Sequence, residues 1–117
     1  MRGRWRDDRG AASVLAVGIV GAVVALTALV VPAAATFVVS QRAANAADAA
    51  ALAAADAASG AVAGIPCELA AQVAARNGGA MVTACEVDGA VATVAASIDA
   101  LGVALSATAR AGPPGSE

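Results

Sequence analysis

Two cysteines, Cys67 and Cys85, are the residues of this chain best suited to covalent chemistry. The usual catalytic bases are missing: the 117 residues include no histidine, lysine or tyrosine. Ser40, Ser59, Ser97 and Ser106 have no base beside them in any recognisable motif, so nothing would activate a hydroxyl for attack. Two sulfurs without a histidine do not complete a four-ligand zinc cage. Glu86 and Asp88 bracket a turn and offer two carboxylates, but a hard cation such as calcium needs several more oxygens. They read as a solvated turn. No catalytic residue, cofactor, metal or small-molecule substrate is expected, and the chain does not read as an enzyme. The cysteines are then either two buried thiols in a reducing compartment or a disulfide in an oxidising one.

The compartment follows from the N-terminal third. From Ala11 to Val39 there is no charged side chain, and Arg2, Arg4, Arg6 and Arg9 stand just before that stretch. About 20 apolar residues suffice to cross a bilayer as a helix. Four arginines precede the stretch against Asp7 and Asp8, whereas three arginines follow it against seven acids. Positive charge holds its end of a span in the cytoplasm, so residues 40–117 are expected outside. There the disulfide is the better reading, closing a loop of ~18 residues worth roughly 3 kcal/mol in the chain-entropy model. The net charge of −2 and the absence of a basic patch beyond residue 10 exclude nucleic acid as a partner. Membrane lipid is the partner the sequence does imply.

The elements around the cysteines can be read in order. Residues 1–10 form a basic leader, 11–39 a transmembrane segment and 40–59 its exported continuation, since Ala43 to Ala58 contains neither Gly nor Pro and alanine is the best helix former. Together they predict one helix ~70 Å long at about 1.5 Å per residue, interrupted at most by a kink at Pro32. Its exported half carries Gln41, Asn45, Asp48, Leu52 and Asp56 near one face, either a docking seam or a solvated stripe; the opposite alanine face requires a cover. Residues 60–111 predict a small head. Cys67–Arg76 is a short helix started by Pro66, with Leu69, Ala70 and Val73 on its apolar face, and Asn77-Gly78-Gly79 ends it. Met81–Val87 and Ala90–Ile98 are strands joined by an Asp88-Gly89 turn, and Val103–Arg110 is a third strand. That turn would pair Cys85 with Ala92 and put Thr83, Val87 and Val94 on its face. Residues 112–117 predict a disordered tail. The fold class is α+β: a long N-terminal helix, then one short helix on a two- or three-stranded antiparallel sheet.

The order of these features resembles a known family. A leader ending in Arg9-Gly10, an uncharged span, the Gln41–Ala55 segment, and the Cys67…Asn77-Gly78…Cys85 arrangement are similar to the TadE-like and TadG-like proteins of tight-adherence (Flp-type) pilus and secretion loci. The short form found beside a secretion ATPase is the nearest in pattern. The resemblance implies a minor pseudopilin, held in the membrane until it enters or initiates a filament, with pilin-like subunits and secretion-platform membrane proteins as partners. It also implies a prepilin-peptidase cut at Gly10–Ala11. Leu15 departs from the pattern, because pilins present a glutamate five residues into the mature chain. That departure favours a minor, priming or permanently anchored role over ordinary major-pilin packing. Gly18, Gly21, Ala22 and Ala25 would permit close helix contact, or they are the small residues common in any span.

Two other outcomes stay open. Ala33-Ala34-Ala35 satisfies the small-residue rule for signal peptidase, and a cut at Ala35–Thr36 would release residues 36–117; against it, Val14–Val31 is longer than a usual signal core of about 7–15 residues. Alternatively the protein is a permanently anchored accessory subunit of a secretion complex.

Overall fold

The computed structural model describes the backbone of residues 2–116 and the side chains of residues 9–116. The side chains of Arg2, Arg4 and Arg6 in the basic leader, and the end of the tail at Glu117, lie outside the described residues. The element order is helix α1 (Arg2–Ala58), helix α2 (Pro66–Arg76), and strands β1 (Met81–Asp88), β2 (Val91–Ala100) and β3 (Val103–Ala111). The architecture is α+β, with a long apolar N-terminal helix and a three-stranded antiparallel sheet of order β1-β2-β3. Chain contacts divide it into two compact units, Met1–Thr36 and Phe37–Glu117.

Helix α1 begins nine residues before the expected Ala11, since no proline occurs before Pro32 to prevent it. It continues through Pro32 and ends at the glycine turn after Ala58, where Ser59 donates its amide to Ala55 O at 2.9 Å and its hydroxyl to Asp56 O at 3.1 Å. Helix α2 starts with Pro66 in its first turn, where the missing N–H costs nothing. It stops where the Asn77 side-chain amide donates to Val73 O at 2.8 Å. That side chain replaces the next turn of the helix.

In the second unit, both helices cover one face of the sheet. Ala46, Ala47, Ala50, Ala51, Ala54 and Ala55 of α1 pack with Ala70 and Ala74 of α2, with Ala80, and with Ala92, Val94 and Ala96 of β2. This is the cover that the alanine face of α1 required. Within α2 the most buried positions are Ala70 and Ala74, with Leu69 and Val73 only half-buried at the rim. Val94 is the only side chain larger than alanine that is fully buried among the described residues. An alanine core lets backbones approach closely, but each methyl removes little surface from water.

The sheet corrects two expectations. The β1–β2 turn is Gly89-Ala90, not Asp88-Gly89: Asp88 pairs with Val91, Val87 with Ala92, and Cys85 with Val94 rather than Ala92. Gly89 alone has positive φ (60°), the pattern of a type II′ turn, which wants glycine at its first central position. Moving the turn by one residue shifts each pair by two, so every side chain keeps its face. The second correction is Thr83. The register slips between Val82 and Ala84, a β-bulge, so Val82 opposite Ala96 takes the inner position. Thr83 is exposed, with its hydroxyl donating to Ala95 O at 3.4 Å. In strand β3 the residue order predicts Val103, Leu105, Ala107 and Ala109 on one alternating face; Leu105, Ala107 and Ala109, with Ala111, are half-buried and the residues between them exposed, whereas Val103, next to the turn, is exposed.

Candidate functional surfaces

The first surface is the apolar stretch of α1. Val14, Leu15, Val17, Ile19, Val20 and Val23 are each more than half exposed, and the same holds along the helix to Phe37. This is one helix long and apolar enough to cross a membrane. Its two threonines are internally satisfied: Thr27 Oγ1 donates to Val23 O at 2.8 Å and Thr36 Oγ1 to Pro32 O at 3.0 Å. Hydroxyls closed onto the carbonyl four residues earlier present no unmet donor to hydrocarbon. Added Cβ atoms at Gly18 and Gly21 would meet nothing, so both backbones are open to an approaching surface. Leu15 is 65% exposed on this helix.

The second surface is the stapled head. Cys67 at the start of α2 and Cys85 in β1 form a disulfide, with Cα atoms 5.9 Å apart and 18 residues between them in sequence. The inward face of Cys85, fixed by its pairing with Val94, turns it toward the helix layer. The loop before α2 is shaped to match: Gly64, at φ 145°, lies where a Cβ would come within 2.6 Å of Leu69 Cδ1. Gln41, Asn45, Asp48, Leu52 and Asp56 all lie exposed on α1, opposite its buried alanines. Their spacing therefore does trace one outward stripe.

On the open face of the sheet, Glu86 pairs with Thr93 and Thr93 with Arg110, which places an acidic and a basic residue in one row, on the two strands that flank β2. Glu86 and Asp88 line a shallow depression with Val87, Val91, Thr93 and Arg110. Among the described residues, no group of three or more acidic, histidine or cysteine side chains is placed to hold a metal ion. Arg110 also reaches forward, donating through its guanidinium to Ser116 O at 3.2 Å, and Ser116 Oγ donates to Pro113 O at 2.6 Å. Residues 113–116 thus form a turn in the segment expected to be a disordered tail.

Both candidate cleavage bonds, Gly10–Ala11 and Ala35–Thr36, lie inside α1, and these residues are exposed. A peptidase that reads an extended strand would have to unwind the helix at either point. One feature escaped the sequence: the β2–β3 turn holds Leu101 at φ 52° and Gly102 at φ 78°, with Leu101 fully exposed. Gly102 marks the turn, but nothing in the residue order marks the leucine. No family model matches the sequence, and no match was found among the curated proteins or the solved structures.

Proposed function

We propose that this chain is a structural, non-enzymatic membrane protein, a minor pseudopilin-like subunit of a Flp-type pilus or related secretion assembly. The observation that carries the reading is the composition of α1. Large aliphatic side chains stand open along its first part, whereas from Ala43 onward the buried face is alanine packed under the head. A helix that exposes valine and leucine needs lipid or other helices around it. A subunit that trades one for the other requires such a surface. The order of the Arg9-Gly10 leader, the Gln41–Ala55 segment and the Cys67–Cys85 staple supports the family resemblance. In this reading the basic leader stays in the cytoplasm and the head lies outside, where the disulfide is stable. Pilin-like subunits and secretion-platform membrane proteins are its partners. Leu15, where a pilin glutamate is expected, favours a priming or anchored role.

The test is the intact mass of the protein from membrane and medium fractions, without reductant. A membrane species beginning at Ala11 supports prepilin processing. Full-length chain in the membrane makes it an anchored accessory subunit. A species beginning at Thr36 in the medium overturns the reading, because the chain would then be a released protein.

A further inference from the structure

We propose that the β2–β3 hairpin tip is a second membrane contact, in which Leu101 and Val103 enter the outer surface of the bilayer. The inference rests on the reading of α1 as a membrane span. It starts from Leu101, which is 100% exposed and held at φ 52°. Two consecutive residues with positive φ suit a type I′ turn, where Asn or Gly sits without steric cost and leucine does not. The fold therefore keeps a bulky apolar residue in an unfavourable conformation without burying any of it. Val103, two residues on, is 58% exposed. No charged residue lies between Asp99 and Arg110.

The position of the tip within the Phe37–Glu117 unit gives it an occupant. At the other end of the sheet, Ala90, Gly112 and Pro113 line a cleft with Leu52, Ala55, Asp56 and Ser59 of α1. Strand β2 thus starts beside the C-terminal end of α1. Its Ala92, Val94 and Ala96 then pack in one cluster with alanines between Ala46 and Ala55, so strand and helix run side by side. Nine residues of strand carry the chain about 30 Å. The return along α1 from Asp56 to Phe37 covers about 28 Å. The tip therefore comes level with Phe37 and Val38, exposed at 66% and 48%, where the chain passes into the uncharged stretch. One leucine and one valine would not hold a free protein on a bilayer. Here the span supplies the tether, and insertion of the tip is an intramolecular event.

The experiment uses the full chain reconstituted into phosphatidylcholine–phosphatidylglycerol vesicles doped with a diazirine-bearing phosphatidylcholine. After illumination, digestion at acidic residues separates the Gly89–Ala90 turn from Leu101, and mass spectrometry locates the lipid adducts. Adducts are expected in the Ala11–Val39 stretch and at Leu101–Val103, and not at Gly89–Ala90. Leu101→Asn keeps the positive φ and should cut labelling of the tip about tenfold, the worth of one leucine side chain moved from lipid to water, with the span labelled as before. A labelled span with a tip no more labelled than the Gly89–Ala90 turn overturns the proposal alone. So does a tip labelled equally in Leu101→Asn. An unlabelled span overturns the membrane reading itself, and the tip proposal with it.

Discussion

Replacing both cysteines with alanine should cost the head a large share of its stability. Closure of the loop between Cys67 and Cys85, 18 residues apart, removes roughly 3 kcal/mol of chain entropy from the unfolded state. The folded state has little to set against that loss, since among the buried side chains of the described residues only Val94 exceeds alanine in size. Neither cysteine is fully buried, so the alanines leave little cavity and the covalent constraint is the main thing removed. With a urea dependence of about 1.5 kcal/mol per molar for a unit this small, the unfolding midpoint should fall by about 2 M. A brief trypsin pulse across a urea series, on full-length protein in detergent, reads this directly. There is no lysine, so the tryptic sites beyond Thr36 are Arg42, Arg76 and Arg110. In oxidised protein, cleavage after Arg76 leaves two fragments joined through the disulfide, so fragments are weighed after reduction. Wild-type protein reduced before the pulse should unfold with the double variant. If oxidised wild type and the Cys67→Ala/Cys85→Ala variant share one midpoint, alanine packing alone holds the head and the reasoning about its core is wrong.

The same urea series checks four further variants. Val94→Ala removes the largest fully buried side chain and should cost about 2 kcal/mol, from lost transfer energy and the cavity left behind. Ala50→Leu forces a larger side chain into a closed alanine interface and should cost about 1–3 kcal/mol, while Leu52→Ala on the exposed stripe should change the midpoint by less than about 0.5 kcal/mol equivalent. Gly64→Ala combines an unfavourable φ of 145° with a Cβ that would come within 2.6 Å of Leu69 Cδ1; a loss of about 1–3 kcal/mol is expected, and an unchanged midpoint would mean that the loop before α2 moves freely.

The parts of the fold legible in the sequence are those set by strong local rules. Pro66 and Asn77 bracket α2, and the alternating run from Val103 to Ala109 marks the inner side of β3, where all but Val103 are half-buried. The turn register was not legible, because Asp88-Gly89 and Gly89-Ala90 both satisfy hairpin chemistry and differ only in which central position the glycine takes. Nor was the bulge: Val82 and Thr83 are both good strand formers, and their inward position is decided by the helix layer beneath them. The pairing of Cys67 with Cys85 is insensitive to both features, because each displaces the register without turning Cys85 to the other face. The cover over the alanine face of α1 could be inferred to exist, since so flat a surface needs a neighbour. That α2 and β2 provide it follows only from the chain's path.

Helix α1 is one element with two surface compositions. From Val14 to Val31 its large aliphatic side chains stand exposed, and a helix hydrophobic all round is stable only where water is excluded. From Ala43 onward the large residues give way to alanine on the buried face and to Gln41, Asn45, Asp48 and Asp56 on the other, which suits a helix with protein on one side and water on the other. Alanine extends the helix cheaply but brings little burial. A head built on it gains its stability elsewhere, and the staple at Cys67–Cys85 is where the structure places that gain. A disulfide of this kind persists only in an oxidising compartment, and the proposed topology, with the arginine leader in the cytoplasm, puts the head in one. Under that proposal stability and topology make the same demand on this chain: with its head on the reducing side, the protein would lose the cross-link that its alanine core cannot replace.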